Sequence, residues 1–127
     1  MAEDSQMFHE PLEMLQQKTR DMHRAVVSVV EELQAIDWYA QRVDGAQDAE
    51  LRAILEHNAN EEKEHATMLL EWIRRHDPVF ERVLREYLFR DGAIVTAEEQ
   101  AEARHQNGGA AKGKPAARAT IGSLREA

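Results

Sequence analysis

The stretch HNANEEKEHATMLLEWIRR, residues 57–75, decides how this chain folds. Its apolar side chains return every three or four residues, the repeat of an α-helix with one face turned inward. Extended toward the N-terminus, the row reads Leu51, Leu55, Asn58, Glu62, His65, Leu69, Trp72. It predicts a helix from about Ala49 to Arg75, ending before His76-Asp77-Pro78. Glu62 and His65 break the apolar pattern, and polar residues at core positions are the informative ones. They form a Glu-x-x-His pair, one turn apart on one face. The adjacent acids Glu61 and Glu64 fall off the row and are expected to face solvent.

Upstream, Asp44-Gly45-Ala46-Gln47 reads as a short turn, with Gly45 free to adopt a left-handed conformation and Asp48 placed to cap the following helix. Before it, a helix is predicted from near Pro11 to about Val43. One apolar row there is Leu12, Leu15, Thr19, Met22, Val26, Val29, Leu33, Ile36, Ala40; a neighbouring row is Ala25, Val29, Glu32, Ile36, Tyr39, Val43. Together they make a stripe wide enough for more than one partner helix. So short a connection requires an antiparallel hairpin. Downstream, Val79, Phe80, Val83, Leu84, Tyr87 and Leu88 predict a shorter helix over Pro78–Phe89. After Asp91-Gly92 the periodicity lapses, apart from a few expected helical turns over Thr96–Arg104 with Thr96 and Glu99 as a capping box. The expected organisation is an all-α hairpin domain over 1–92, a flexible linker over 93–118, and a C-terminal segment 119–127 that regains two apolar side chains, Ile121 and Leu124.

If the hairpin is centred near Gly45–Ala46, Glu32 lies level with about residue 59, roughly 5 Å short of Glu62 at ~1.5 Å per residue. Side chains lean toward the N-terminus of their own helix, so in an antiparallel pair Glu32 leans toward Glu62 and His65, and they lean back. A di-iron carboxylate site in a four-helix bundle uses two single glutamates and two Glu-x-x-His pairs. This chain supplies one of each, and two copies about a two-fold axis supply the whole set. A mononuclear site, zinc in place of iron, and acids that are merely structural are the other readings of the same spacing.

Composition narrows the choice. The 127 residues contain no cysteine, which excludes disulfides, thiolate-bound zinc and Fe–S clusters. The net charge is −8, yet from residue 104 onward five basic residues face one acid, which leaves −12 on residues 1–103. An acidic body argues against nucleic acid and suits cations, although acids also serve simply to solubilise small helical proteins. The opening MAEDSQMFHEPLE is acidic and has no apolar stretch of a secretory signal, and no segment is long enough for a membrane span. A cytoplasmic protein is expected.

The stretches HEPLE (9–13), HRAVVSVVEEL (23–33), DWYAQR (37–42), HNANEEKEHATMLLEWIRR (57–75) and YLF (87–89) resemble the encapsulated ferritins, ferritin-like cargo of encapsulin shells. The resemblance spans residues 9–90. It implies half of a ferritin-like four-helix bundle completed by dimerisation, a ring-shaped decamer built as a pentamer of dimers, and a ferroxidase centre between two chains. By the same resemblance Glu32, Glu62 and His65 match the iron ligands, with Glu62 bridging. Tyr39 matches a tyrosine near the metals and Trp38 a residue beside the route by which iron arrives. Glu31 matches a glutamate on that route, whereas Gln34 stands where the family has a second one and so lacks its charge. Ile121-Gly122-Ser123-Leu124-Arg125 resembles the peptide that targets such cargo to the shell.

The activity so implied is oxidation of Fe(II) to Fe(III) by oxygen at a di-iron centre, with the product mineralised inside an encapsulin nanocompartment in the cytoplasm. Two rivals are a rubrerythrin-like di-metal peroxidase, which the absence of cysteine disfavours, and a non-catalytic helical adaptor.

Overall fold

A computed structural model describes residues 7–112, the side chains of 107–112 excepted. The segment Ile121–Arg125, expected to target a shell, lies outside the described residues. Among these residues the chain is all helical, with a 3-10 turn at Leu12–Met14 and four α-helices: α1 (Gln17–Gly45), α2 (Ala49–His76), α3 (Pro78–Tyr87) and α4 (Ala97–Lys112). No described helix is long and apolar enough to cross a membrane. The chain divides into two compact units, residues 1–72 and 73–127.

The first unit holds α1 and most of α2. Its first helix starts six residues later than the expected Pro11. Leu15 and Gln16 are extended, and the α-helix begins only where the Thr19 and Arg20 amides donate to the Gln16 carbonyl, both at 3.1 Å. Contacts remote in sequence set this break. The Arg20 guanidinium donates to the Leu12 carbonyl, and the Phe8 ring stacks on His23 with centroids 4.0 Å apart, so the N-terminal arm folds back along α1.

The turn between α1 and α2 also differs in detail. Gly45 stays within the helix, and the reversal falls on Ala46-Gln47-Asp48, with Ala46 extended and its amide on the Arg42 carbonyl at 2.9 Å. A glycine is therefore not used for a left-handed step here. Asp48 caps α2 as expected, accepting the Leu51 amide at 2.8 Å.

The two rows of α1 have separated into two jobs. Ala25 is buried and Val29, Glu32, Ile36, Tyr39 and Val43 are half-buried, whereas Val26, Leu33 and Ala40 of the other row are exposed. On α2, the buried alanines 59 and 66 alternate with half-buried Glu62, His65 and Leu69. No large side chain among the described residues is completely buried, because the innermost positions are alanines (Ile73 excepted). Alanine leaves little between two backbones, so it favours close approach of helices.

In the second unit, Asp77 caps α3 by accepting the Phe80 amide at 2.9 Å, and Pro78 occupies the first helical position, where a missing N–H costs nothing. The helix ends at Tyr87, two residues short of Phe89, which adopts a left-handed φ of 58°. Within the stretch read as a flexible linker, residues 93–118, the chain is helical from Ala97 to Lys112. Ala, Glu and Gln dominate its first two turns, all good helix formers. Ala97 and Ala101 are buried where α4 meets α3, and that packing is what a periodicity search misses. Thr96 does not form the expected capping box; its hydroxyl donates back to the Ala93 carbonyl at 2.9 Å.

Candidate metal centre

Glu32 reaches inward from the middle of α1, between Ala25 and Ile36 on the row that faces α2. Glu62 and His65 reach back from α2, bracketed by the buried Ala59 and Ala66. The three side chains offer a carboxylate oxygen each and an imidazole nitrogen, and these atoms all lie within 4.8 Å of one another. His65 Nδ1 stands 2.8 Å from Glu62 Oε1 and 3.8 Å from Glu32 Oε1. All three residues are half-buried, with side chains 25%, 23% and 44% exposed for Glu32, Glu62 and His65.

The charges in this cluster do not balance. A hydrogen bond with Glu62 raises the Glu32 carboxyl above the ordinary carboxylate range, with partial burial and the Glu62 charge acting in the same direction. The hydrogen bonds from Glu32 and His65 hold the Glu62 carboxyl below that range. Its bond to Glu62 raises His65 against an opposing desolvation. Glu32 and Glu62 thus shift each other in opposite directions beside one imidazole, a coupling expected of two carboxyls held close together. Hard carboxylate oxygens with one imidazole nitrogen suit iron, manganese or zinc. The donor set therefore fits the expected metal, and one chain supplies three donors.

The other residues predicted for the site stand apart from this group. Glu31 is exposed beside Glu32 and acts on it only through its charge. Gln34 is half-buried, and Trp38 is half exposed. Tyr39 lies two turns along α1 from Glu32, and the Arg42 guanidinium lies over its ring, 5.4 Å from the centroid. Of the acids read as facing solvent, Glu64 does so, while Glu61 is half-buried and lies 3.8 Å from His57.

A second polar cluster, in the other unit, was not visible in the sequence. Glu86 Oε2 lies 3.0 Å from His105 Nε2, and Glu86 Oε1 lies 3.6 Å from Arg82 Nη1. Arg82 and Glu86 are one turn apart, which is readable from spacing, but His105 joins them from α4 through tertiary packing alone.

The profile of the EncFtn-like family matches residues 7–91. An encapsulated ferritin-like protein of Rhodospirillum rubrum is 55% identical over 117 residues, covering 91% of this chain and 84% of its own. A ferritin-like protein of Thermotoga maritima is 48% identical, covering 80% and 90%, respectively. The encapsulin nanocompartment cargo protein EncC of Myxococcus xanthus is 36% identical, covering 78% and 80%. A crystal structure of a Nitrosomonas europaea protein shares the fold, with a TM-score of 0.66, 57% identity, and coverage of 68% of this chain and 96% of that one. The match of the family profile and three relatives across both helices of the hairpin establishes that this chain belongs to the EncFtn-like family, the encapsulated ferritins.

Proposed function

We propose that the protein is a ferroxidase that oxidises Fe(II) to Fe(III) at a di-iron centre shared between two copies, and that it works as cargo of an encapsulin shell. The observation that carries this reading is the convergence of Glu32, Glu62 and His65 within 4.8 Å, two acids and one imidazole with their charge unbalanced. A lone copy has half of the ligand set of a di-iron carboxylate site, and a two-fold partner doubles it.

Fe(II) is the substrate and oxygen the electron acceptor; two ferrous ions held together supply two electrons at once. The chain contributes donors and proton handling. We assign the bridging role to Glu62 from the family resemblance; its Oε1 lies 2.8 Å from His65 Nδ1. Binding of a cation would compete with the 2.8 Å contact between His65 Nδ1 and Glu62 Oε1 and would favour the ionised form of both carboxyls. Oxygen ligation favours the more highly charged ferric product. Glu31 and Gln34 serve the approach of iron along α1, with Trp38 beside that route and Tyr39 near the metals. A hairpin of this size has no chamber for mineral, so the ferric product is stored outside it, within the shell.

Shell association draws on the relatives named as encapsulated or as encapsulin cargo, and the segment Ile121-Gly122-Ser123-Leu124-Arg125 is assigned as the docking peptide. One such peptide binds weakly, and several on one assembly raise the effective concentration. Deletion of residues 119–127 abolishes loading into a co-expressed shell and spares oxidation; persistent loading removes the assignment.

The activity is tested by adding Fe(II) anaerobically and following ferric absorbance and oxygen uptake after admission of air. Wild type consumes oxygen, and Glu32→Ala and His65→Ala do not exceed the protein-free rate. Wild-type rates in both variants rule the reading out, and consumption of peroxide in place of oxygen favours a peroxidase.

A further inference from the structure

The loop between α3 and α4 leaves its apolar side chains in solvent. Phe89 is fully exposed (104%) on a left-handed backbone, and Leu88, Ile94 and Val95 are 48%, 79% and 84% exposed. The loop is nonetheless held in shape, because the Arg90 guanidinium donates to the Arg85 carbonyl at 3.0 Å and the Thr96 hydroxyl to the Ala93 carbonyl at 2.9 Å. The four side chains present on the order of 400 Å², within the range where an open patch on one chain is often functional. Just beyond it, residues 97–103 of α4 carry Glu98, Glu99 and Glu102, all exposed, and no base. Their charge is felt nearby: desolvation first, then Glu98, Glu86 and Glu102, push the Tyr87 hydroxyl up. An apolar patch thus borders an acidic helix start.

We infer that this surface holds the chain's own C-terminal segment, with Ile121 and Leu124 on the apolar loop and the basic residues before them along the start of α4. Reach, charge and chemistry select that occupant. The helix α4 has 16 residues and is about 24 Å long at ~1.5 Å per residue, so the loop lies that far behind Lys112. Ile121 and Leu124 follow Lys112 by nine and twelve residues. At up to ~3.3 Å per residue they reach about 30 and 40 Å, enough to return along α4 with residues left for the reversal. Residues 113–127 carry Lys114, Arg118 and Arg125 against Glu126, the opposite charge to the start of α4. Ile121 and Leu124 are their only large apolar side chains, so what the segment has to bury is what the loop leaves open. The inference rests on the reading of Ile121–Arg125 as the shell-docking peptide, and gives that peptide a second, competing site on its own chain. A peptide occupied there nine-tenths of the time has its apparent affinity for the shell lowered about tenfold. Loading then favours cargo that presents several peptides at once.

The full chain, free of native cysteine, allows a direct test. The double variant Ile94→Cys with Leu124→Cys is oxidised mildly, and intact mass and non-reducing gels show where the bond forms. The expected product is a disulfide within one chain, formed about tenfold or more faster than in denaturant, where the same two positions meet at random. Adding Arg118→Glu slows it several-fold at low salt. No excess over denaturant overturns the inference, and so does a bond between two chains, because another copy then fills the site. Hydrogen exchange guards against an effect of the cysteines themselves. Amides of residues 88–102 exchange several-fold more slowly in the wild-type chain than after deletion of residues 119–127, and equal rates also overturn the inference. Competition is read from Phe89→Asp and Ile94→Asp, which raise several-fold the share of cargo loaded when co-expressed shell protein is limiting; unchanged loading in both removes it. Failure of the underlying reading looks different, since deletion of residues 119–127 then leaves loading intact while the disulfide within one chain still forms.

Discussion

Each compact unit contains a cluster of glutamate and histidine between two helices, and the two clusters have opposite balances. In the first, Glu32 and Glu62 share one imidazole, His65. In the second, one carboxylate, Glu86, has both Arg82 and His105. The second cluster is complete, since its carboxylate has an arginine of the same chain. In the first, two carboxylates have one imidazole between them, and Glu32 is pushed up while Glu62 is held down. The comparison teaches that a carboxylate beside a histidine is not by itself a metal motif. On the proposed reading, what separates a ligand set from a structural latch is whether the protein supplies the counter-charge.

The most direct way to break this comparison is to remove one carboxylate from each cluster. Loss of an outer partner of a metal ligand costs 10–100-fold, so loss of a ligand itself in Glu62→Ala is expected to slow Fe(II) oxidation by about 100-fold or more. Glu86→Ala should leave that rate unchanged. Equal losses in stopped-flow traces of the two variants would mean that the clusters do not differ in kind.

The converse holds for packing. Glu86 joins α3 to α4 through His105, and its removal strips a largely buried imidazole and guanidinium of a charged partner. Hydrogen exchange across Ala97–His105 is expected to lose about 1–3 kcal/mol of protection in Glu86→Ala, with little change in Glu62→Ala.

Acid and base sharpen the contrast further. In the metal-free protein the bond to Glu62 holds the His65 imidazolium above the usual imidazole range. A group raised on folding stabilises fully below its unfolded value, and that contribution disappears as pH climbs through the folded one. The melting temperature of the metal-free protein should therefore fall as pH rises from about 6.5, and His65→Gln should flatten that slope. Glu62 works the other way. Held low by Glu32 and His65, it stabilises above the ordinary carboxyl range and the benefit is lost as acid titrates it.

The smallest effect concerns delivery. Gln34→Glu restores an acid one turn from Glu31, and Fe(II) uptake at low salt should quicken several-fold, with the gain erased near 1 M salt. A gain that survives high salt would point to ligation by the new carboxylate in place of long-range attraction.

The grouping of Glu32, Glu62 and His65 was legible because helical spacing sorted them from Glu61 and Glu64 and because Asp48 and Pro78 punctuated the chain. The exact entrance to α1 was not. An apolar row runs unbroken through Leu12 and Leu15, and the break comes from Arg20 and Phe8 reaching across sequence. The same limit hid the second cluster. His105 lies in a stretch with hardly any apolar periodicity, and it acquires meaning only when Ala97 and Ala101 bring α4 against α3. Local pattern records what a residue does for its own helix, and it is silent on which distant helix will claim it.

An interior of alanines has a consequence for the life of the protein. Small side chains gain little from leaving water, so an interior in which no large side chain among the described residues is completely buried makes a modest hydrophobic contribution. If copies pair as proposed, pairing adds to that contribution, dilution opposes it, and the melting temperature should rise with protein concentration. In a cell, a newly made copy without companions would be open to proteases, whereas one that has found them would persist.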